Sequence, residues 1–285
     1  SDLELAEARE AAEKADVAVV VVGENEWRTP DKKGTNGEAF DVASLDLTGM
    51  QQDLIKTVHA TGTPTIVVLI NGRPLSIRWT AEHVPAILDP WICGEKGGTA
   101  VADILFGDYN PSGRLPITVP RHVGQLPVYY NYKPSKKHWI EHAWGKAYAD
   151  MPPTPLYEFG YGLSYTEFEY SNLRIDPKEI RPAGSVDVTV DVKNVGDREG
   201  AEVVQLYLND PISTVVTPVR ELRGFQRIDL KPGEKKTVTM QLTPEHLCLL
   251  SRHMEWVVEP GAFNVMVGSS CEDIRLEGSF EVVED

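Results

Sequence analysis

The period of the hydrophobic positions changes once along the 285 residues. In the first half, helix-like and strand-like runs alternate. Residues 3–15 are an Ala/Glu-rich stretch that predicts a helix, with Ser1 or Asp2 placed to cap it. Val17, Ala18, Val19, Val20, Val21 and Val22 follow, a β-branched run of the kind buried on both faces of a parallel sheet. Residues 49–60 predict a second helix, with Leu54, Ile55 and Val58 on one face. Residues 65–70 predict a second buried strand, 86–88 a third, and 98–106 another helix. Helix and strand in turn imply an α/β layered sheet with right-handed crossovers. About three strands are few for a sheet needing helices on both faces, so the expectation is that the chain begins partway through this domain.

In the second half the period becomes two. Val186, Val188, Val190 and Val192 alternate with Asp187, Thr189, Asp191 and Lys193, which predicts a strand with one wet face. Val204, Leu206 and Leu208 repeat the alternation, as do Val238, Met240 and Leu242, then Phe263, Val265 and Val267. Residues 231–234 (KPGE) and 259–262 (EPGA) suit tight turns, Pro fixing one φ and Gly accepting a positive one. This pattern predicts an all-β sandwich. Between the halves, residues 121–165 are rich in Pro, Tyr, Trp and Lys and hold no sustained period. Their aromatic density predicts a connector packed against something. The expected division is therefore 1–120, a connector over 121–165, and 166–285.

Composition narrows the partners. A formal net charge of −15 with no Lys/Arg stripe repels phosphate backbones and argues against nucleic acid. The longest apolar run, residues 17–22, is far too short to span a membrane. Cys93, Cys248 and Cys271 are widely spaced and odd in number, which gives neither a disulfide framework nor a paired metal signature.

Several collinear stretches carry a resemblance to family 3 glycoside hydrolases, the β-glucosidase and β-xylosidase type. Residues 103–116, DILFGDYNPSGRLP, resemble the family's "DxLFGxxNPSGRLP". GQLPVYYNYKP at 124–134 and PLYEFGYGLSYT at 155–166 fall where that family has them, and RELRGF at 220–225 and EPGAF at 259–263 are similar to its terminal domain. The likeness runs along essentially the whole chain. It implies a partial α/β sandwich domain followed by a fibronectin type III-like β-sandwich, with an absent (β/α)8 barrel preceding both and supplying an aspartate nucleophile. It also implies a terminal β-linked glucose or xylose as substrate, and no metal or organic cofactor.

Retaining glycoside hydrolysis uses two carboxyl groups about 5 to 5.5 Å apart, one nucleophilic and one acting as acid and then base. The family places its acid/base Glu in a loop after an α/β-domain strand, in an "EGxDRxxLxLP" pattern. Residues 38–49, EAFDVASLDLTG, stand in that register, so the resemblance implies Glu38 as the acid/base. Ala39 and Val42 depart from the pattern's Gly and Arg, and Glu24 and Glu26 are rival carboxylates on the same long loop. Ligands of open α/β sheets sit beyond the carboxyl ends of the strands, where residues 23–47 would lie. Glu38 must be protonated when substrate binds, which requires desolvation and a nearby second carboxylate; alone it should titrate nearer an ordinary glutamate.

Other signals weigh less. His138-Trp139-Ile140-Glu141-His142 spells an inverted zinc-peptidase pattern, but it lies in a Lys/Pro-rich connector rather than a sustained helix. Residues 94–99, GEKGGT, lack phosphate-loop spacing and read as a tight strand-to-helix turn. Tyr129, Tyr130, Tyr132, Trp139 and Trp144 read as packing aromatics before sugar-stacking ones. The competing function is a non-catalytic carbohydrate-binding or scaffold fragment, since sandwich domains commonly serve recognition.

Overall fold

The computed structural model describes residues 1–24, 34–35, 41–134 and 148–284. The chain divides into two compact units, Ser1–Asp108 with Val119–Pro127, and Tyr109–Thr118 with Val128–Asp285.

The first unit is an α/β layer. Helix α1 (Asp2–Glu13) starts with Ser1 at its N-cap, and Asp2 and Glu4 place negative charge on its first turn. Strand β1 (Ala18–Gly23), helix α2 (Gln51–His59), strand β2 (Thr65–Ile70), helix α3 (Arg78–His83), strand β3 (Ala86–Leu88) and helix α4 (Gly97–Leu105) follow. The sheet order is β1-β2-β3, parallel throughout, with Val20 opposite Val67 and Val67 opposite Ile87. Helix α2 packs on β1 and β2 and α1 packs on α2; Ile55 and Val58 of α2 are buried together with Val20, Val22, Val67 and Leu69.

Burial on both faces holds for β2 and fails for β1. Val67, Val68 and Leu69 in the central strand are buried, but Val19 and Val21 are 46% and 60% exposed. The reason is position: β1 is an edge strand, and among the described residues no helix is packed over the face that carries Val19 and Val21. A run of valines specifies a strand by shape, whereas its second covered face must come from another element. Helix α3 has no periodic signature because six residues are under two turns; stacking of Trp79 on His83, centroids 4.3 Å apart, accompanies it.

The second unit is a β-sandwich. Strands β4 (Phe168–Asp176), β6 (Val186–Asn194) and β9 (Lys235–Leu242) form one sheet, in order β4-β6-β9. The other, β5-β13-β12-β7-β8, comprises β5 (Glu179–Ile180), β7 (Gly200–Asn209), β8 (Glu221–Leu230), β12 (Gly261–Gly268) and β13 (Ile274–Val282). A short helix α5 (Pro244–Leu247) and the ribbon of β10 (Leu249–Leu250) and β11 (Trp256–Val257) complete it. The alternating positions read from the sequence make the core: Val186, Val188, Val190 and Val192 meet Val204, Leu206, Val238, Leu242, Phe263, Val265 and Val267. The KPGE turn closes with the Glu234 N–H donating to the Lys231 carbonyl at 2.9 Å, and Gly233 takes φ 75°.

Strand β7 departs from simple alternation, because its outward residues Gln205 and Tyr207 are buried too. On its core side Glu202 forms a 2.9 Å ion pair with Arg114, both nearly sealed from solvent. Gln205 donates to the Gly160 carbonyl at 3.1 Å, and fully buried Tyr207 donates to Gln205. Tyr130 stacks on Phe159 with centroids 4.1 Å apart and meets Tyr207 edge-on. Tyr130 and Phe159 of the connector thus pack on the outer face of β7.

On β6, outward-facing Asp191 is buried, accepting from Thr237 Oγ1 (2.6 Å), Asn172 Nδ2 (2.9 Å) and Lys235 Nζ (3.0 Å). These donors hold its carboxyl well below the usual range, the Thr237 bond first. A depressed carboxylate contributes stability above its unfolded value near pH ~3.9 and loses it as the pH falls through the folded value. Asp191→Asn is therefore expected to cost about 1 to 3 kcal/mol at pH 7. The gap to the parent should shrink as the pH is lowered below ~4, read from urea midpoints across pH.

Candidate active site

The site is built at the carboxyl edge of the parallel sheet. Strand β1 ends in Gly23, whose φ of 135° is open to glycine and whose missing Cβ would lie 2.0 Å from the Ile70 carbonyl oxygen. That close approach lets the Glu24 N–H donate to the Ile70 carbonyl at 2.7 Å, extending the β1–β2 pairing by one bond. Gln51, on the first turn of α2, locks the same point: its Oε1 accepts from the Gly23 N–H at 2.5 Å and its Nε2 donates to the Gly23 carbonyl at 2.9 Å.

Three turns meet beyond the strand ends. After β1 comes Glu24, after β2 the turn Asn71-Gly72-Arg73, and after β3 Asp89-Pro90-Trp91. Glu24 is buried, with Oε1 3.0 Å from Arg73 Nε and Oε2 accepting from the Gly72 N–H at 3.1 Å. One hydrogen bond and one ion-pair contact thus tie the Glu24 side chain to the neighbouring turn, which makes Glu24 a brace. Arg73 reaches further, donating from Nη2 to the Thr35 carbonyl at 3.0 Å and from Nη1 to the Asp41 carboxylate. The Val42 N–H and Arg73 together hold the Asp41 carboxyl below its usual range. Asn71, fully buried, donates to the Arg73 carbonyl at 2.8 Å. Asp89 accepts from the Trp91 N–H at 3.2 Å, and burial pushes its carboxyl above the ordinary value.

Glu38 and Glu26 lie outside the described residues, as do His138, Trp139, Glu141, His142 and Trp144. The residues flanking Glu38, Thr35 on one side and Asp41 on the other, are both held at the carboxyl edge by Arg73. Of the glycines in residues 94–99, Gly97 has a packing reason. The Gly97 N–H donates to the Gly94 carbonyl at 2.9 Å, and a Cβ on Gly97 would fall 2.2 Å from Cys93 Cβ. Among the described residues no group of His, Cys, Asp and Glu is placed to hold a metal ion, and no helix is long and apolar enough to cross a membrane. In the second unit, a cleft of about 550 Å³ is lined by Arg114, Glu202, Tyr170 and Arg275 among others, with Arg114 and Glu202 already paired to each other.

Arg73 and Asp89 carry no motif in the sequence. The usable signal was positional: each lies in the turn that follows a strand of a parallel sheet, where polar residues face the ligand side.

An α/β layer with a polar carboxyl edge, followed in the chain by a β-sandwich, defines the class, and comparison with known proteins gives the family. The glycosyl hydrolase family 3 C-terminal domain matches residues 2–165, and a fibronectin type III-like domain matches residues 202–271. The chain belongs to glycosyl hydrolase family 3. It is 43% identical over 284 residues to a periplasmic beta-glucosidase of Salmonella typhimurium, covering 97% of this chain and 36% of that protein. It is 45% identical over 264 residues to a beta-xylosidase of Formosa agariphila, covering 93% of this chain and 35% of that one. A solved beta-glucosidase of Listeria innocua in complex with glucose superposes with a TM-score of 0.89 at 38% identity, over 99% of this chain and 38% of that one. The chain thus spans little more than a third of the length of these relatives.

Gly23→Ala tests the site's foundation. Its backbone strain alone is expected to cost about 1 to 3 kcal/mol, before the clash with Ile70 is counted. Chemical unfolding should show that loss, and a variant as stable as the parent would mean that β1 does not end in this turn.

Proposed function

We propose that this chain supplies the general acid/base of a retaining exo-β-glycosidase that releases terminal β-linked glucose or xylose. The nucleophilic aspartate comes from a barrel-bearing segment outside these residues. The observation that carries the reading is the tethering of both flanks of Glu38, at Thr35 and Asp41, to the carboxyl edge of a parallel sheet. Membership of glycosyl hydrolase family 3 and likeness to proteins named beta-glucosidase and beta-xylosidase support the reaction and the sugar class.

In this mechanism the barrel carboxylate attacks the anomeric carbon while the Glu38 carboxyl gives its proton to the departing glycosidic oxygen. The glycosyl ester is then cleaved by water, whose proton returns to Glu38 as the new C–O bond forms. Glu38 has to enter the cycle protonated. The nearby barrel carboxylate and the exclusion of water on assembly would raise its pKa accordingly.

The test uses the protein with its barrel segment present, assayed on aryl and methyl β-glucosides and β-xylosides. Glu38→Ala is expected to lower kcat/KM about 10²- to 10⁴-fold where the leaving group needs a proton. Formation of the glycosyl-enzyme from 2,4-dinitrophenyl substrates should be nearly unchanged. The basic limb of the pH profile should disappear with the carboxyl group. Inactivity of the parent on every aryl β-glycoside would remove the enzyme reading. Equal loss on all leaving groups, or none, would remove Glu38 as the acid/base.

A further inference from the structure

We infer that the cleft in the β-sandwich unit is a second ligand site, built for a neutral saccharide and independent of the role proposed for Glu38. Its volume of about 550 Å³ falls within the range of about 300 to 1,000 Å³ that small-molecule sites occupy. Residues of both sheets wall it near the first residues of three strands: Phe168 and Tyr170 of β4, Glu202 of β7 and Arg275 of β13. Every lining residue belongs to the second unit.

The wall of this cleft holds a charge pair where packing alone would place apolar side chains. Arg114 and Glu202 meet at 2.9 Å with side chains only 9% and 4% exposed. Burial pushes the Glu202 carboxyl above its ordinary value even beside the guanidinium. Apolar side chains of similar size would fill the position without that desolvation cost, so an ion pair kept at a cleft marks a site for polar ligands. Arg114 Nε is buried and has no hydrogen-bond partner among the described residues. A buried N–H left open in this way calls for an acceptor that the chain itself does not provide. Asp273 and Arg275, paired at 2.7 Å, line the same space and feel the charges of Arg114 and Glu202 respectively.

The lining chemistry selects the ligand. Two arginines against the four carboxylates of Glu158, Glu167, Glu202 and Asp273 leave the cleft negative, which disfavours phosphate and carboxylate ligands. Donors of the chain already engage the carboxylates, Ser270 Oγ on Glu158 at 2.9 Å and Ser269 Oγ on Asp273 at 2.6 Å. Among the described residues no such group is placed to hold a metal ion. An apolar ligand would strip water from these charges and put nothing in its place. A hydroxyl both donates and accepts, so a polyol can donate to carboxylate oxygens and accept from guanidinium N–H groups. The rings of Tyr161 and Phe168 offer apolar surface to the C–H face of a pyranose. A neutral ligand, rich in hydroxyls and with one apolar face, is a sugar ring.

The test titrates the protein, with its barrel segment present, with S-linked thiocellobiose and thioxylobiose, which resist hydrolysis, and follows binding by calorimetry. Val195→Trp puts an indole into the cleft from a lining position 47% exposed, and Arg275→Ala removes a donor from its rim. Neither change touches the Arg114–Glu202 pair. Each is expected to weaken one saccharide-binding event about 10-fold or more, the size of one hydrogen bond to a charged group, at a parental unfolding midpoint. Aryl β-glycoside hydrolysis should keep its parental rate in both. Val195→Trp decides where it folds, and Arg275→Ala decides where it does not. Saccharide binding that the deciding variant retains at full strength, or no saccharide binding by the parent, overturns the inference. So does binding of inorganic phosphate or acetate that the same variant abolishes, because the cleft is then an anion site.

Discussion

Because β1, β2 and β3 pair in parallel, their carboxyl ends finish on one edge of the sheet, and the turns leaving them are brought together whatever their separation in sequence. Glu24, Arg73 and Asp89 are far apart along the chain but share that edge. The close approach of Gly23 to Ile70 and the double hydrogen bond from Gln51 then fix the end of β1 against β2. With that end fixed, the Arg73 guanidinium can meet Glu24, Thr35 and Asp41 together. Without the parallel register these groups would be scattered surface charges, each worth little.

The second unit meets a different constraint. Its strand β7 is covered on both faces, by the opposing sheet on one side and by the segments around Tyr130 and Gly160 on the other. Polar groups buried on either face demand partners. On the core side Glu202 has Arg114, and on the outer side Gln205 has the Gly160 carbonyl and Tyr207 has Gln205. Tyr130 and Phe159, among the described residues of the connector, serve that outer face.

Much of the fold was legible because periodicity reports burial directly. The alternating valines of β6 and the apolar positions of β7, β9 and β12 emerge in the sandwich core, and the strand-helix alternation emerges as the parallel layer. The bare face of β1 was not legible, since a valine run looks the same whether or not its second face is covered. At the site, the rivalry between Glu24 and Glu38 stood open in sequence, where both are loop glutamates. In the fold the Glu24 side chain is tied to Arg73 and the Gly72 N–H, while Glu38 lies outside the described residues. Arg73 had no local pattern at all, because its three partners lie on segments that only the folded sheet edge brings near.

Sequence alone determined what each segment is: strand or helix from the spacing of apolar side chains, turns from Pro and Gly, and the family from long collinear motifs. These properties are local, set by neighbouring residues and their backbone preferences. Tertiary structure decided which charges are paired, which faces are covered and which side chains meet at the strand ends. Those outcomes depend on distances between residues remote in the chain, and Coulomb and hydrogen-bond energies act through space without regard to sequence order.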